Sequence, residues 1–358
     1  MTTTIREVAR RAGVSVATVS RVLNDNTPVA EATRRRVEDA VRTLRYFPHA
    51  GARSLITRRT TALGVLIPDL YGEFFSEVIR GLDNAARSHG YHVLLSGSHS
   101  DPGELDTAVR AMRGRVDGLI VMSPDFAAEA LTSRLPEGLP CVLLNSSARN
   151  SGCNTVSIDN VGGARAIVTH LLSHGHDRVA IINGPPSNND ARERLRGYRA
   201  ALGAARVSRS AVLELPGNFT EEAGYDAGRA MLALKPVPTA VFAANDSMAV
   251  GAMSAFREAG RRIPEDIAVG GFDDIPIAHY LTPPLTSVHV PTNELGTTAV
   301  DLLVQAMARS NTHTRHHKVV QTTLLVRNTC GVHDQPRRPE AQRIRRRTSL
   351  SQSVEADL

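Results

Sequence analysis

From position 13 to 24 the chain reads GVSVATVSRVLN, small and β-branched side chains followed by one arginine. Such residues make no bonds in a reaction, but they can read a surface. Val16 and Ala17 offer apolar contact without bulk, as a thymine methyl requires, and Arg21 offers two donors to a guanine edge. Thr18, Ser20 and Asn24 are sized for phosphates or base edges. A second set of polar and aromatic residues follows a series of apolar runs. It comprises Asp69 with Phe74 and Phe75, then Asn145, the run GPPSNNDAR ending at Arg192, Asn245-Asp246, and Phe272-Asp273-Asp274. Carboxylates, amides and guanidinium groups bond vicinal hydroxyls, and aromatic rings cover the apolar face of a sugar. Each Asn or Asp taken singly is better explained as the cap of the following helix. The recurrence of the pattern points to a polyhydroxylated ligand.

The elements that must hold these residues follow from periodicity. Thr4 and Glu7 have the spacing of a capping box. A first helix then runs to Ala12-Gly13, and Ser15 is placed to cap a second over Val16 to Leu23. A third helix is expected from Glu31 to Leu44, with Val37, Val41 and Leu44 on one face. Helix, tight turn, helix is the helix-turn-helix plan, whose second helix enters the major groove by its first residues. From residue 62 onward, short apolar runs alternate with amphipathic segments: Ala62 to Ile67, Tyr91 to Ser96, Gly118 to Met122 and Pro140 to Leu144, then again Arg178 to Asn183, Ala240 to Ala244 and Ile267 to Gly271. Helices are expected at Phe75 to His89, Glu104 to Arg113, Gly162 to His174, Arg194 to Ala205 and Ser247 to Ala259. Two such series predict two doubly wound parallel-sheet lobes, with ligands beyond the carboxyl ends of the strands.

Composition supports a head and a body. The chain has 358 residues and a net charge of +6. Residues 1–59 carry a net +7, residues 335–358 a net +3, and the stretch between them a net −4. A basic head on a mildly acidic body is suited to a polyanion at one end only. The longest apolar runs are strand-length, so no membrane span is expected. The N-terminus lacks an apolar signal core, which predicts a cytoplasmic, nucleoid-associated protein. Cys141, Cys153 and Cys330 have no metal-like spacing and are expected to be free thiols in a reducing compartment. His174 and His176, and His313, His316 and His317, have no Cys or acidic residue at ligand spacing, so no metal is expected. No nucleophile with a base and orienter appears, nor a glycine-rich phosphate loop, so neither an enzyme nor a cofactor is expected. The tail after residue 335 has Pro, Arg and Ser without periodicity and reads as disordered, with Arg343 to Arg347 as a candidate DNA contact.

The pattern Ile5-Arg6-Glu7-Val8-Ala9-x-x-Ala12-Gly13-Val14-Ser15-x-x-Thr18-Val19-Ser20-Arg21-Val22-Leu23-Asn24 resembles the DNA-binding head of the lac repressor/gal repressor family. AVFAANDSMAVGAM and IAVGGFDDIPIAHYLTPPLTSV resemble its core, and the likeness covers roughly residues 4–332. It implies a small all-α helix-turn-helix domain over 1–47, a hinge helix and linker over 48–60, and a periplasmic-binding-protein-like core over 61–334. Lobe 1 is then about 61–160 and 290–319, lobe 2 about 161–289 and 320–334, with the basic tail at 335–358. It implies a homodimer on a palindromic double-stranded DNA operator, with Thr4, Ser15, Val16, Ala17, Thr18, Ser20, Arg21 and Asn24 toward DNA. Arg53 meets phosphates near the hinge, and Leu55 wedges into the minor groove. Ala30 and Gly51 depart from the family's usual serine cap and hinge alanine. The implied effector set, for a sugar or derivative, is Phe74, Phe75, Asn145, Arg192, Phe219, Asn245 and Asp273. A core answering to a protein corepressor, and a sugar-binding or sugar-processing protein with an appended head, are the other readings.

Overall fold

The computed structural model describes residues 3–24, 28–46, 59–126, 128–145, 153–208, 212–308 and 315–331. The head is three helices, α1 (Ile5–Ala12), α2 (Val16–Asn24) and α3 (Glu31–Leu44). The amide and hydroxyl of Thr4 both donate to Glu7 Oε2, at 2.7 and 3.2 Å, which fixes the start of α1. Gly13, at φ 64°, ends α1 in the left-handed region that glycine adopts without strain. Ser15 Oγ accepts from the Thr18 amide at 3.1 Å and caps α2. Ala30 gives α3 no side-chain cap. Val8, Val19, Val22, Val37 and Ala40 bury against one another between the helices.

The rest of the described chain forms two sheets. The first comprises β1 (Ala62–Ile67), β2 (His92–Gly97), β3 (Gly118–Met122), β4 (Cys141–Leu144), β5 (Asn154–Ile158) and β11 (His317–Val320), in the order β11-β5-β4-β3-β1-β2 and parallel throughout. The second comprises β6 (Val179–Ile182), β7 (Leu213–Leu215), β8 (Ala240–Ala243), β9 (Ala268–Asp273), β10 (Thr286–His289) and β12 (Thr323–Leu325), in the order β12-β10-β9-β8-β6-β7. Only β12 departs from the parallel arrangement, pairing antiparallel with β10. Every residue of β1, β3, β8 and β9 is buried, as expected of strands covered on both faces. The edge strand β2 exposes Leu94 and Leu95.

Helices α4 (Glu73–Ser88), α5 (Pro102–Met112), α6 (Ala128–Thr132) and α11 (Thr292–Ala308) belong with the first sheet. Helices α7 (Asn160–Ser173), α8 (Asn189–Ala204), α9 (Glu221–Leu232) and α10 (Asp246–Glu258) belong with the second. The chain passes between the sheets after β5, after β10 and between β11 and β12. Several helices begin before their apolar periodicity does, because polar caps start them: Asp101 accepts from the amides of Gly103 and Glu104, and Asn188 from those of Asp190 and Ala191. Among the described residues, no helix is long and apolar enough to cross a membrane.

One expectation is corrected here. Cys141 and Cys153, expected to be free, form a disulfide, with Cα atoms 5.6 Å apart. Cys141 starts β4 and Cys153 immediately precedes β5, its parallel neighbour, so the sheet itself brings them together. Cys330 is buried outside any disulfide, and its sulfur accepts from the Thr286 hydroxyl at 3.0 Å.

Candidate functional site

Two surfaces gather the residues with binding chemistry. On the head, α2 buries Val19 and Val22 and turns Val16, Ala17 and Arg21 outward, with Val16 41% exposed. Ser15 and Thr18 share a 2.9 Å hydroxyl contact at the helix start, Thr4 is exposed beside α1, and Ser20 is half-buried. The first turn thus presents small apolar groups and hydroxyls, with Arg21 one turn on, and no large side chain at the helix start holds the backbone off a groove. Asn24 lies in α2, where only its backbone is described. Arg53 and Leu55 lie outside the described residues, as do the rest of 47–58 and the tail from 332.

The second surface is a cleft of about 580 Å³ between the two sheets. This is within the roughly 300–1,000 Å³ of small-molecule sites. It is bounded by the segments that follow the strands of both sheets. Phe74 and Phe75, at the start of α4, form one wall with ring centroids 5.6 Å apart and planes at 69°. Phe219 faces the cleft from the other lobe. Its backbone carbonyl accepts from Asn245 Nδ2 at 2.9 Å, and its ring lies over Gly184, where a Cβ would come within 2.2 Å. Asn245 also caps α10 through the Met248 amide at 3.0 Å, so capping and cleft lining are combined in one side chain.

The floor is charged and buried. Arg194 donates through Nε to Asn160 Oδ1 at 2.9 Å and through Nη1 to the Ala244 carbonyl at 2.5 Å, and it stacks 3.8 Å from the Phe272 ring centroid. Its Nη2 is 3.0 Å from Asp273 Oδ1. That approach pairs the charges but is not aligned as a hydrogen bond, so Oδ1 is left as a buried acceptor without a donor. Burial raises the Asp273 carboxyl to about 6 against the pull of Arg194. Beside it, Asp190 accepts from the side-chain amides of Asn145 and of Asn160, the latter at 2.9 Å. Burial drives Asp190 up to about 7; Arg194 opposes the shift, and Glu193 and Asp273 add to it. Asp246 lies under the floor, held by Ser287 Oγ at 2.6 Å and the Ile275 amide at 2.9 Å, and burial raises its carboxyl as well.

Of the seven effector positions expected from sequence, Phe74, Phe75, Phe219, Asn245 and Asp273 line the cleft. Asn145 is buried behind it and acts on Asp190. Arg192 does not line the cleft, and this corrects the expectation. It is exposed, and its guanidinium bonds the carbonyls of Pro186 and Ser187 at the start of its own helix. Helix α8 begins at Asn189 rather than at Arg194, so positions 192 and 194 lie about 200° apart around it and only one can face inward. Arg194 is that one. Glu73, Asp125, Asp190 and Glu221 also line the cleft and were not singled out. Asp190 lies in the quoted run after β6, and Asp125 two residues past the buried Ser123 that follows β3, so the strand-end rule reaches both.

The comparisons with known proteins follow this division. Residues 4–49 match a model of the bacterial regulatory proteins of the lacI family, and residues 168–330 match a periplasmic binding protein-like domain. The chain is 36% identical over 324 residues to the ribose operon repressor of Escherichia coli (strain K12), covering 90% of this chain and 94% of that one. It is 38% identical over 305 residues to the HTH-type transcriptional repressor PurR of Edwardsiella ictaluri (strain 93-146), covering 84% and 89%. Its structure is similar to the lac repressor dimer bound to operator and the anti-inducer ONPF, with TM-score 0.85, 31% identity, and coverage of 93% and 100%. It is also similar to the CelR–cellobiose complex, with TM-score 0.70, 34% identity, and coverage of 91% and 99%.

Proposed function

The chain belongs to the lacI family of bacterial regulatory proteins, a DNA-binding transcriptional regulator with a periplasmic-binding-like core, and from that premise we propose how its parts divide the work. Two copies bind the halves of a palindromic operator, repressing transcription, and a sugar or sugar derivative in the interlobe cleft controls the affinity. Helix α2 enters the major groove. Val16 and Ala17 meet base methyls, Arg21 bonds guanine, and Thr4, Ser15, Thr18, Ser20 and Asn24 hold phosphates or edges. Residues 48–60 join head to core, with Arg53 on the backbone and Leu55 wedged into the minor groove, where an apolar side chain unstacks a step and bends the duplex. In the cleft, Phe74, Phe75 and Phe219 cover the sugar's apolar faces, and Arg194, Asp190, Asn245 and Asp273 bond its hydroxyls. The cleft serves binding rather than catalysis in this reading. The protein works in the cytoplasm.

The observation that carries this reading is a ligand-sized cleft with aromatic and hydrogen-bonding groups from both lobes, on a chain whose head exposes an unobstructed α2 face. Selection of bound sites from random duplexes by the full-length protein should return a palindrome. Arg21→Ala should weaken binding to that site by about 1–3 kcal/mol and affect random DNA much less. Equal losses on both would remove Arg21 from base reading.

A further inference from the structure

We infer that the interlobe cleft accepts an uncharged polyol and rejects its phosphate ester, so that the regulator senses a sugar before phosphorylation and phosphoryl transfer to that sugar removes the signal. The inference rests on the sugar-effector reading above and specifies its charge. Carboxylates enter the cleft from both lobes: Asp69, Glu73 and Asp125 from one, Asp190, Glu221 and Asp273 from the other. The guanidinium of Arg194 already faces Asp273 and is bonded to Asn160 and Ala244, and the only other basic side chain lining the cleft among the described residues is the exposed His99. Glu73, Asp125 and Glu221 form no salt bridge among the described residues. Their partners are neutral: the Ile277 amide at 3.0 Å, the Asn188 side-chain amide at 3.0 Å with the Ser100 hydroxyl at 2.5 Å, and the Ser247 hydroxyl at 2.6 Å. Their charge therefore reaches the cleft uncancelled.

The fold's ordinary anion sites are disfavoured as well. Phosphates bind at helix N-termini because the first amides there lack partners. Around this cleft side chains already occupy some of those amides: Asn188 takes two on α8, Thr220 one on α9 and Asn245 one on α10. The first turns of α8, α9 and α10 also carry Asp190, Glu221 and Asp246. Helix α4 has no side-chain cap, but Glu73 stands in its first turn. What the floor does offer is Asp273 Oδ1, buried and charge-paired with Arg194 but without an aligned hydrogen-bond donor. That atom suits a hydroxyl donor and repels a phosphate oxygen.

The test is calorimetric titration of the full-length protein at 0.15 M salt with paired probes: ribose and ribose 5-phosphate, glucose and glucose 6-phosphate, cellobiose and its 6′-phosphate. The expected result is binding of at least one neutral sugar, with its ester at least 100-fold weaker. The ratio should narrow about tenfold in Glu73→Gln/Glu221→Gln and again at 1 M salt, where screening shortens to about 3 Å. An ester that binds as tightly as its parent sugar, or tighter, overturns the inference and leaves the sugar-effector reading standing. A ratio unmoved by both the Gln substitutions and salt is steric and overturns the charge argument. If no probe of either kind binds, the sugar-effector reading itself fails and the inference falls with it.

Discussion

Truncating Arg194 would strand Asp273 and Asp190 as buried carboxylates and free the carbonyl of Ala244 and the amide oxygen of Asn160. Removing one member of a buried ion pair costs about 3–5 kcal/mol, so Arg194→Ala should lower the denaturant midpoint of the core sharply. Arg192→Ala, two positions away but exposed, should leave it near wild type. Equal effects would contradict the inward placement of Arg194. A carboxyl also sets a pH dependence. Asp190 ionises at about 3.9 in an unfolded chain and at about 7 in the fold. The folded state therefore holds the proton more tightly. This contribution to stability is complete below pH 4 and is lost as pH rises toward 7. In Asp190→Asn the fall in urea midpoint across that window should be shallower than in wild type. An unchanged slope would place the titration elsewhere.

At the scale of elements, the walls of the cleft depend on close helix contacts. A Cβ on Gly251 of α10 would lie 1.9 Å from the Glu221 carbonyl of α9, and one on Gly224 would lie 2.2 Å from the Met248 carbonyl. Only glycine lets these two helices touch backbone to backbone. Gly251→Ala must push α9 outward, and α9 begins at Glu221, next to Thr220 and Phe219. Overpacking of this kind costs about 1–3 kcal/mol. We expect that loss together with weaker sugar binding, read by thermal melts with and without ligand, while hydrogen exchange in the head stays unchanged. Helices α4 and α11 meet in the same way, where a Cβ on Gly296 would lie 2.6 Å from the Gly81 carbonyl carbon. Each lobe thus holds one wall of the cleft by a glycine-mediated helix pair.

For the whole molecule, four hydrogen bonds among the described residues join the lobes across the cleft. Asn188 Nδ2 donates to Asp125 Oδ1 at 3.0 Å, the Asn189 amide to the Pro124 carbonyl at 2.8 Å, the Ile277 amide to Glu73 at 3.0 Å, and Asn145 to Asp190. They hold the two sheets in one relative position, so weakening them biases the molecule toward an open state. Asp125→Ala should increase the radius of gyration measured by X-ray scattering without sugar, and saturating sugar should restore it. No increase would show that the remaining contacts fix the lobes without Asp125. Because binding free energies couple reciprocally, a variant that opens the cleft changes sugar affinity and operator affinity through one equilibrium.

The local signals of this chain were strong enough to be read without its structure. The capping box at Thr4, the glycine turn at Gly13 and the valines spaced around α2 depend on neighbours within a turn or two, so sequence alone places the head and its outward face. The apolar runs of β1, β3, β8 and β9 are long enough to declare two series of buried strands. Short or weakly apolar elements such as β5, β7, β11 and β12 gave no such signal, since their pairing partners are distant in sequence; so too for α9 and α11. The strand-end rule found Asp273 and Asn245, because a cap and a cleft residue occupy the same position in this fold. It did not separate Arg192 from Arg194, because that choice depends on where α8 starts, and Asn188 sets the start. Nor did it find the role of Asn145, which acts on a residue of the other lobe. Cys141 and Cys153 paired for the same reason: adjacent strands brought together side chains whose sequence spacing carried no sign of contact. What lay within a few residues was fixed by the sequence itself; what required two lobes to meet was decided only by the tertiary structure, because the charges and hydrogen bonds of the cleft come from segments that the chain crossings alone bring within reach.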